Sequence, residues 1–345
     1  MGRETIRQLA EVAALRLEPG RLFSAEHHEI RYGWTTDIYF VRTQEILRHL
    51  GLADTPVVAE IFGGRDGVFA GTVEALNLLA GLPVEVWALP EGEPFRAKEV
   101  VMRIRGPYSE FGVYETALLG ILASSSGWAT AARACKEAAG DKRVICFGAR
   151  HVHPAVAPVM ERAALVGGAD GASCILGAKL AGRDPTGTMP HAAILVAGDT
   201  LRVALTYRDL MGQAAPVIVL VDTFKDEAEE ALRVAEALQE DLHGVRLDTP
   251  SERGGVTPEL VEEVRARLDQ AGFRHVRILV SGGITPERIR SLSAAGADAF
   301  GVGSYISAAP PIDMTMDLKE VAGRPVAKRG RIPGCIPNPR LERMM

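Results

Sequence analysis

The sequence predicts an α/β chain: an irregular parallel α/β barrel, an N-terminal α+β open-faced sandwich, and a C-terminal tail packed on that sandwich. Three observations predict it. From residue 143 onward, short apolar β-branched runs alternate with helical patterns about seven times, as a parallel barrel requires. Before that, residues 84–89 and 100–104 flank the turn Pro90-Glu91-Gly92-Glu93-Pro94, the mark of an antiparallel pair. After Ser304 the chain becomes Pro-rich and basic, a composition suited to an extended tail rather than a separate core. The predicted divisions are 1–115, 116–306 and 307–345.

A chain of 345 residues, 47% hydrophobic and 24% charged, suits two domains or a barrel with an added one. The formal net charge of −5 argues against a nucleic-acid binder. No apolar run approaches a membrane span, and residues 215–221 read as a buried strand. The start Met1-Gly-Arg-Glu-Thr-Ile-Arg7 is charged and has no signal-peptide core. Ile6 stands where N-myristoylation of Gly2 requires Ser or Thr. The expected location is the cytoplasm. Cys135, Cys146, Cys174 and Cys335 are too scattered for a zinc knuckle or a disulfide framework, so no zinc is expected.

Taken in order, residues 4–17 carry a helical apolar pattern and residues 22–30 read as loop. A turn and aromatic residues follow at 31–40, then a short helix at 43–50 stopped by Gly51. Residues 57–61 form a strand ended by Gly63-Gly64, and 84–104 the antiparallel pair. A long helical stretch at 108–140 is expected to break at 124–127, within Ser124-Ser-Ser-Gly127. Barrel strands are expected at 144–147, 172–175, 186–189, 217–221, 245–247, 278–280 and 299–302. The helices between them are expected at 154–166, 200–211, 226–239, 258–271 and 286–295.

Chemistry collects where these strands end, which in a parallel barrel is the active rim. The first ends in Phe147-Gly-Ala-Arg150-His151, the third in Gly187-Thr-Met-Pro-His191, the fourth in Asp222-Thr-Phe224. The fifth carries Arg246-Leu-Asp248, and the last two end in Ser281-Gly282-Gly283 and Gly301-Val-Gly303-Ser304. Glycine turns of this kind present backbone N–H groups to an anion, so the last two strand ends form a phosphate grip. Asp222 and Asp248 can hold ribose hydroxyls directly or through Mg²⁺. Arg150 and Arg246 can meet a carboxylate or phosphate, and Phe147 can stack on a flat ring. Together these groups suit transfer of a phosphoribosyl group to an aromatic acid.

At these residues the chain resembles the nicotinate phosphoribosyltransferases of archaea and some bacteria. The likeness runs through Thr36-Asp37-Ile38-Tyr39, Gly106-Pro107, Glu115-Thr-Ala-Leu-Leu119, Phe147-Gly-Ala-Arg150 and Gly167-Gly-Ala-Asp170-Gly171. It continues through Gly187 to His191, Val221 to Phe224, Arg246 to Asp248, and the two glycine turns. The resemblance implies that nicotinate and phosphoribosyl pyrophosphate give nicotinate mononucleotide and pyrophosphate, with ATP as co-substrate and Mg²⁺ as cofactor. It implies a homodimer or higher oligomer with shared sites, Tyr39 reaching in from a partner subunit to sandwich the pyridine ring against Phe147. Arg246 and Arg150 would hold the carboxylate and phosphates. Asp222 and Asp248 would orient ribose and Mg²⁺; Gly282, Gly283, Gly303 and Ser304 would grip the 5′-phosphate. His191 would be catalytic and carry a phosphoryl group from ATP. His151 replaces a second Arg, Cys174 an Asn, and Thr249-Pro250-Ser251 follows Asp248 where many bacterial relatives have Ser-Gly-Asp.

The nearest alternative is quinolinate phosphoribosyltransferase, whose Ser-Gly-Ile-Ala-Thr is echoed by Ser126-Gly-Trp-Ala-Thr130. A dicarboxylate asks for a dense basic cluster after the first barrel strand, where only Arg150 and His151 stand, so nicotinate is expected. A non-catalytic nucleotide-binding homologue would not need the two acids and His191. An aldolase or isomerase would want a lysine at a strand end.

Overall fold

The computed structural model describes residues 5–17, 20–212 and 215–345. The charged start at 1–4, Gly2 included, lies outside them. The chain divides into two compact units, Met1–Thr130 with Pro310–Met345, and Ala131–Ala309.

The first unit opens with α1 (Leu9–Ala14), shorter than the expected helix at 4–17. Ile6 turns inward instead, buried, with its N–H on the Tyr32 carbonyl at 2.8 Å. A short helix, α2 (His27–Arg31), forms inside the expected loop. Its buried Glu29 accepts the Glu26 N–H at 2.8 Å and pairs with Arg21, which satisfies the helix start. α3 (Ile38–His49) starts at Ile38, not at 43, because Phe40, Val41 and Gln44 share one buried face.

β1 (Pro56–Gly63) follows, then β2 (Gly67–Val68), α4 (Thr72–Leu79), β3 (Glu85–Ala88), β4 (Pro94–Phe95) and β5 (Val100–Pro107). β3 and β5 pair antiparallel as expected, Glu85 opposite Arg105. α5 (Tyr108–Phe111) and a 3₁₀ turn at Gly112–Tyr114 lead into α6 (Glu115–Ala139). The helix does not break at 124–127. Gly127 is there for space: a Cβ would stand 2.5 Å from the Pro310 carbonyl oxygen.

The second unit alternates strand and helix. It runs β6 (Arg143–Cys146), α7 (Ala157–Val166), β7 (Gly171–Ala172), α8 (Ile175–Leu180), α9 (His191–Ala197), α10 (Thr200–Met211) and β8 (Ile218–Leu220). It continues α11 (Glu227–Leu238), β9 (Gly244–Leu247), α12 (Pro258–Gln270), β10 (Arg277–Ser281), α13 (Pro286–Ala294), β11 (Ala299–Val302) and α14 (Ser304–Ser307). The strands form one parallel sheet in the order β7-β6-β11-β10-β9-β8. The expected strand at 186–189 does not form. Pro185 and Pro190 bracket it and lack N–H donors, and Thr186 gives a single bond to the Ala172 carbonyl at 2.8 Å. Among the described residues the ladder therefore has six strands rather than seven, with no pairing between β7 and β8. Asp226, Thr257 and Thr285 cap α11, α12 and α13 through their side chains.

The chain then returns to the first unit as β12 (Met314–Val321), β13 (Arg324–Pro325) and β14 (Glu342–Arg343). The tail supplies strands rather than merely covering them: the sheet order is β13-β12-β1-β5-β3-β14. Its core gathers Ile61, Phe69, Leu79, Met102, Ile104 and Phe111, all fully buried.

Candidate active site

In the second unit all strands point the same way, so the residues following them share one rim. Arg246, near the end of β9, is its most connected side chain. Its Nε donates to Ser281 Oγ at 2.8 Å, Nη1 to Thr188 Oγ1 at 2.9 Å, and Nη2 to Asp248 Oδ2 at 2.8 Å. The guanidinium carbon also stands 5.3 Å from the centre of the Phe147 ring. Phe147 can lie there because Gly301 leaves no Cβ in its way. Ser281 Oγ donates to Asp248 Oδ1 at 2.9 Å, so β9 and β10 hold one another's ends through side chains.

Beside this network stands His191, the first residue of α9. Its Nδ1 is 3.1 Å from Thr223 Oγ1. Its Nε2 is 3.6 Å from Asp222 Oδ2 and 3.9 Å from Asp248 Oδ2. The Asp222 side chain is 1% exposed, and neither carboxyl oxygen has a hydrogen-bond partner among the described residues. Burial pushes the Asp222 carboxyl above the usual carboxylate range, against the pull of His191. No group of three or more His, Cys, Asp or Glu suited to a metal exists among the described residues, so any ion here would draw further ligands from its substrate or water.

The glycine turn after β10 borders the same acids. Gly282 and Gly283 have φ of +88° and +60°, a left-handed conformation that L side chains rarely adopt. A Cβ on Gly282 would stand 3.2 Å from Asp248 Oδ1, so the turn and the acid are neighbours. Arg288 Nη1 is 3.6 Å from where a Gly283 Cβ would be. At the other turn, Gly303 packs against His151, whose Nδ1 is 3.4 Å from Ser307 Oγ, and Ser304 opens α14.

The structure thus brings Phe147, His191, Asp222, Arg246, Asp248, Gly282 and Gly283 to one rim, with Gly303 and Ser304 beside His151. Arg150 is on the same rim, exposed and without an ion pair among the described residues. Tyr39 lies in the first unit on α3, 54% exposed, its ring 4.3 Å from that of Phe40. Sequence reasoning assigned no place in the site to Thr188, Ser281 or Arg288, and weighed Thr223 only as part of a helix cap, a task that Asp226 performs. The signal was present for Thr188, Thr223 and Ser281, each a hydroxyl at an expected strand end. A cavity of about 850 Å³ opens at the opposite end of the strands, lined by Arg143, Ile218, Gly244 and Arg277, away from this chemistry.

Two family models match: the N-terminal domain of quinolinate phosphoribosyl transferase over residues 37–126 and its C-terminal domain over 128–317. The crystal structure of nicotinate-nucleotide pyrophosphorylase from Pyrococcus furiosus is similar at 46% identity and TM-score 0.86, covering 91% of this chain and 82% of that one. A nicotinate phosphoribosyltransferase of Mycobacterium tuberculosis is 30% identical over 339 residues, 86% of this chain and 74% of that protein. Nicotinate-nucleotide pyrophosphorylase (carboxylating) of Rattus norvegicus is 29% identical over 274 residues, 79% of this chain and 85% of that protein. The expected nicotinate phosphoribosyltransferase with ATP as co-substrate is corrected by the two family models and the Pyrococcus match. Among the described residues no helix is long and apolar enough to cross a membrane. The chain belongs to the quinolinate phosphoribosyltransferase family.

Proposed function

We propose that the protein transfers the phosphoribosyl group of phosphoribosyl pyrophosphate to quinolinate, releasing pyrophosphate and CO₂ and leaving nicotinate mononucleotide. The observation that carries phosphoribosyl chemistry is the contact of Asp248 with the Gly282 turn, which sets a ribose-binding acid beside a 5′-phosphate grip. The choice of quinolinate rests on the family matches over both domains.

In this reading Gly282, Gly283, Gly303 and Ser304 hold the 5′-phosphate, with Arg288 close to the first turn. Departure of pyrophosphate leaves positive charge on the ribose, and Asp222 and Asp248 are placed to stabilise it. The pyridine nitrogen attacks that carbon while the ring lies on Phe147. Arg246 and Arg150 take the ring carboxylates. The C–C bond to the carboxylate beside the nitrogen then breaks, its electron pair staying on the ring carbon, stabilised by the now cationic nitrogen until a proton replaces CO₂. Asp222 and Asp248 fit Mg²⁺: they offer hard carboxylate oxygens, and those of Asp222 lack any other partner among the described residues. The ion would neutralise charge on the leaving pyrophosphate. Tyr39, exposed on the first unit, is proposed to cover the ring in the site of a second copy. Mixing Tyr39→Ala and Asp248→Ala protomers then restores part of the activity; verified mixed dimers with none refute the sharing.

The test supplies phosphoribosyl pyrophosphate and Mg²⁺ with quinolinate or nicotinate in turn, without ATP. The expected result is nicotinate mononucleotide and stoichiometric CO₂ from quinolinate. Product from nicotinate and none from quinolinate would overturn the reading.

A further inference from the structure

Glu161 is a fully buried carboxylate that none of the chemistry above uses. It lies on α7, and its two oxygens reach two different strand-end loops. Oε1 accepts the Ala149 N–H at 3.2 Å and the Ser173 hydroxyl at 2.9 Å; Oε2 accepts the Cys174 N–H at 2.5 Å. Ala149 sits between Phe147 and Arg150 in the turn after β6, and Cys174 is the residue that starts α8 after β7. α7 and α8 approach closely enough to allow this. A Cβ on Gly177 of α8 would stand 3.1 Å from Glu161 Cβ and 3.1 Å from the Pro158 carbonyl oxygen.

We propose that Glu161 is a positioning residue for the aromatic-acid subsite, acting through the Ala149 amide to fix the turn that carries Phe147 and Arg150. The proposal rests on the reading of that rim as the acceptor site. A carboxylate suits the task because its oxygens only accept, and all three groups facing it donate. Glutamine has nearly the same shape but turns an NH₂ toward one of those donors. One loop then loses its anchor and gains a repulsive contact. Aspartate keeps the charge but is one methylene shorter, so it can serve one loop well and the other poorly. Placement of Phe147 and Arg150 governs how the flat acid is held, while the phosphate turns at 282–283 are built on other strands. The effect should therefore fall on one substrate.

The test compares wild type, Glu161→Gln, Glu161→Asp and the gentler Ser173→Ala. For Glu161→Gln, KM for quinolinate is expected to rise about tenfold or more, with kcat and KM for phosphoribosyl pyrophosphate within about threefold of wild type. Glu161→Asp should recover part of the loss, and Ser173→Ala, which leaves both amide contacts, should show little. Amide hydrogen exchange, read in parallel, should speed up at Ala149 and Cys174 in Glu161→Gln. Unchanged exchange there, or a fall in kcat that tracks the yield of folded protein with KM for quinolinate unchanged, overturns the proposal. If wild type fails to use quinolinate, the acceptor reading is wrong. The exchange measurement then still decides whether Glu161 holds the two loops. Should Glu161→Gln not fold, the same measurements on Glu161→Asp decide.

Discussion

The imidazole of His191 stands against a carboxyl that has no hydrogen-bond partner among the described residues: Nε2 lies 3.6 Å from Oδ2 of Asp222, whose side chain is 1% exposed. A buried acid without hydrogen bonds is costly, and such groups persist where function needs them. An acid whose pKa is raised by folding, as burial raises that of Asp222, stabilises the fold below its unfolded pKa. That contribution is lost as pH rises toward the folded value. Asp222→Asn is therefore expected to raise stability at neutral pH, because it removes the charge that burial disfavours. It should leave stability unchanged below the ordinary carboxylate range and cost about 100-fold or more in kcat. Thermal unfolding across pH, beside initial rates, checks both. A variant that loses stability at neutral pH would show that the carboxylate is satisfied in the fold.

Arg246 makes three hydrogen bonds in three directions, to Ser281, Thr188 and Asp248. Lysine keeps the charge but not the planar fork. Arg246→Lys is expected to lower kcat/KM about 100-fold, or about 2.7 kcal/mol, chiefly through the pyridine acid. Steady-state kinetics with each substrate varied in turn would show it. A loss confined to phosphoribosyl pyrophosphate would move Arg246 to the phosphate side.

Gly282 combines a φ of +88° with a Cβ position 3.2 Å from Asp248 Oδ1. Gly282→Ala is expected to raise KM for phosphoribosyl pyrophosphate about tenfold or more, since both the turn and the adjacent acid must shift. Backbone strain alone should cost about 1–2 kcal/mol, lowering Tm by about 2–4 °C for each kcal/mol. An unchanged KM with a lowered Tm would make this glycine a turn and nothing more.

Glu115, at the start of α6, is pushed up from 4.5 to about 7 by burial, against the pull of Lys328 and with some help from Asp317. The folded chain thus holds a proton that the unfolded chain releases between about pH 4.5 and 7. Stability drawn from this group falls as pH rises through that window and is flat above it. Glu115→Gln should match wild type below the window and exceed it above by about 1–2 kcal/mol, a figure reduced for partial exposure. Denaturant titrations at the two ends of the window measure the difference. A constant gap between the proteins would assign it to packing instead.

Much of the second unit was legible because its signals are local. Alternating apolar runs, helix caps such as Thr285 and the Gly282-Gly283 turn depend on residues a few positions apart. α10 and α12 accordingly lie close to where periodicity puts them. The strand at 186–189, expected from its place in the strand–helix alternation, failed for a reason also visible locally, the flanking Pro185 and Pro190. Nicotinate was expected as acceptor because only Arg150 and His151 follow the first barrel strand, and the two glycine turns, which suit nicotinate and quinolinate enzymes alike, carried no signal against it.

By itself the sequence determined the succession of strand and helix and which residues follow each strand. Spacing along a chain sets local geometry and which side chains a turn presents. Only the tertiary structure decided that β12 pairs with β1, that the Asp222 side chain is buried while Asp248 shares Arg246, and that Glu161 ties two loops. Each of these depends on segments far apart in sequence meeting in space, where burial and the direction of a hydrogen bond are set by neighbours that no local pattern encodes.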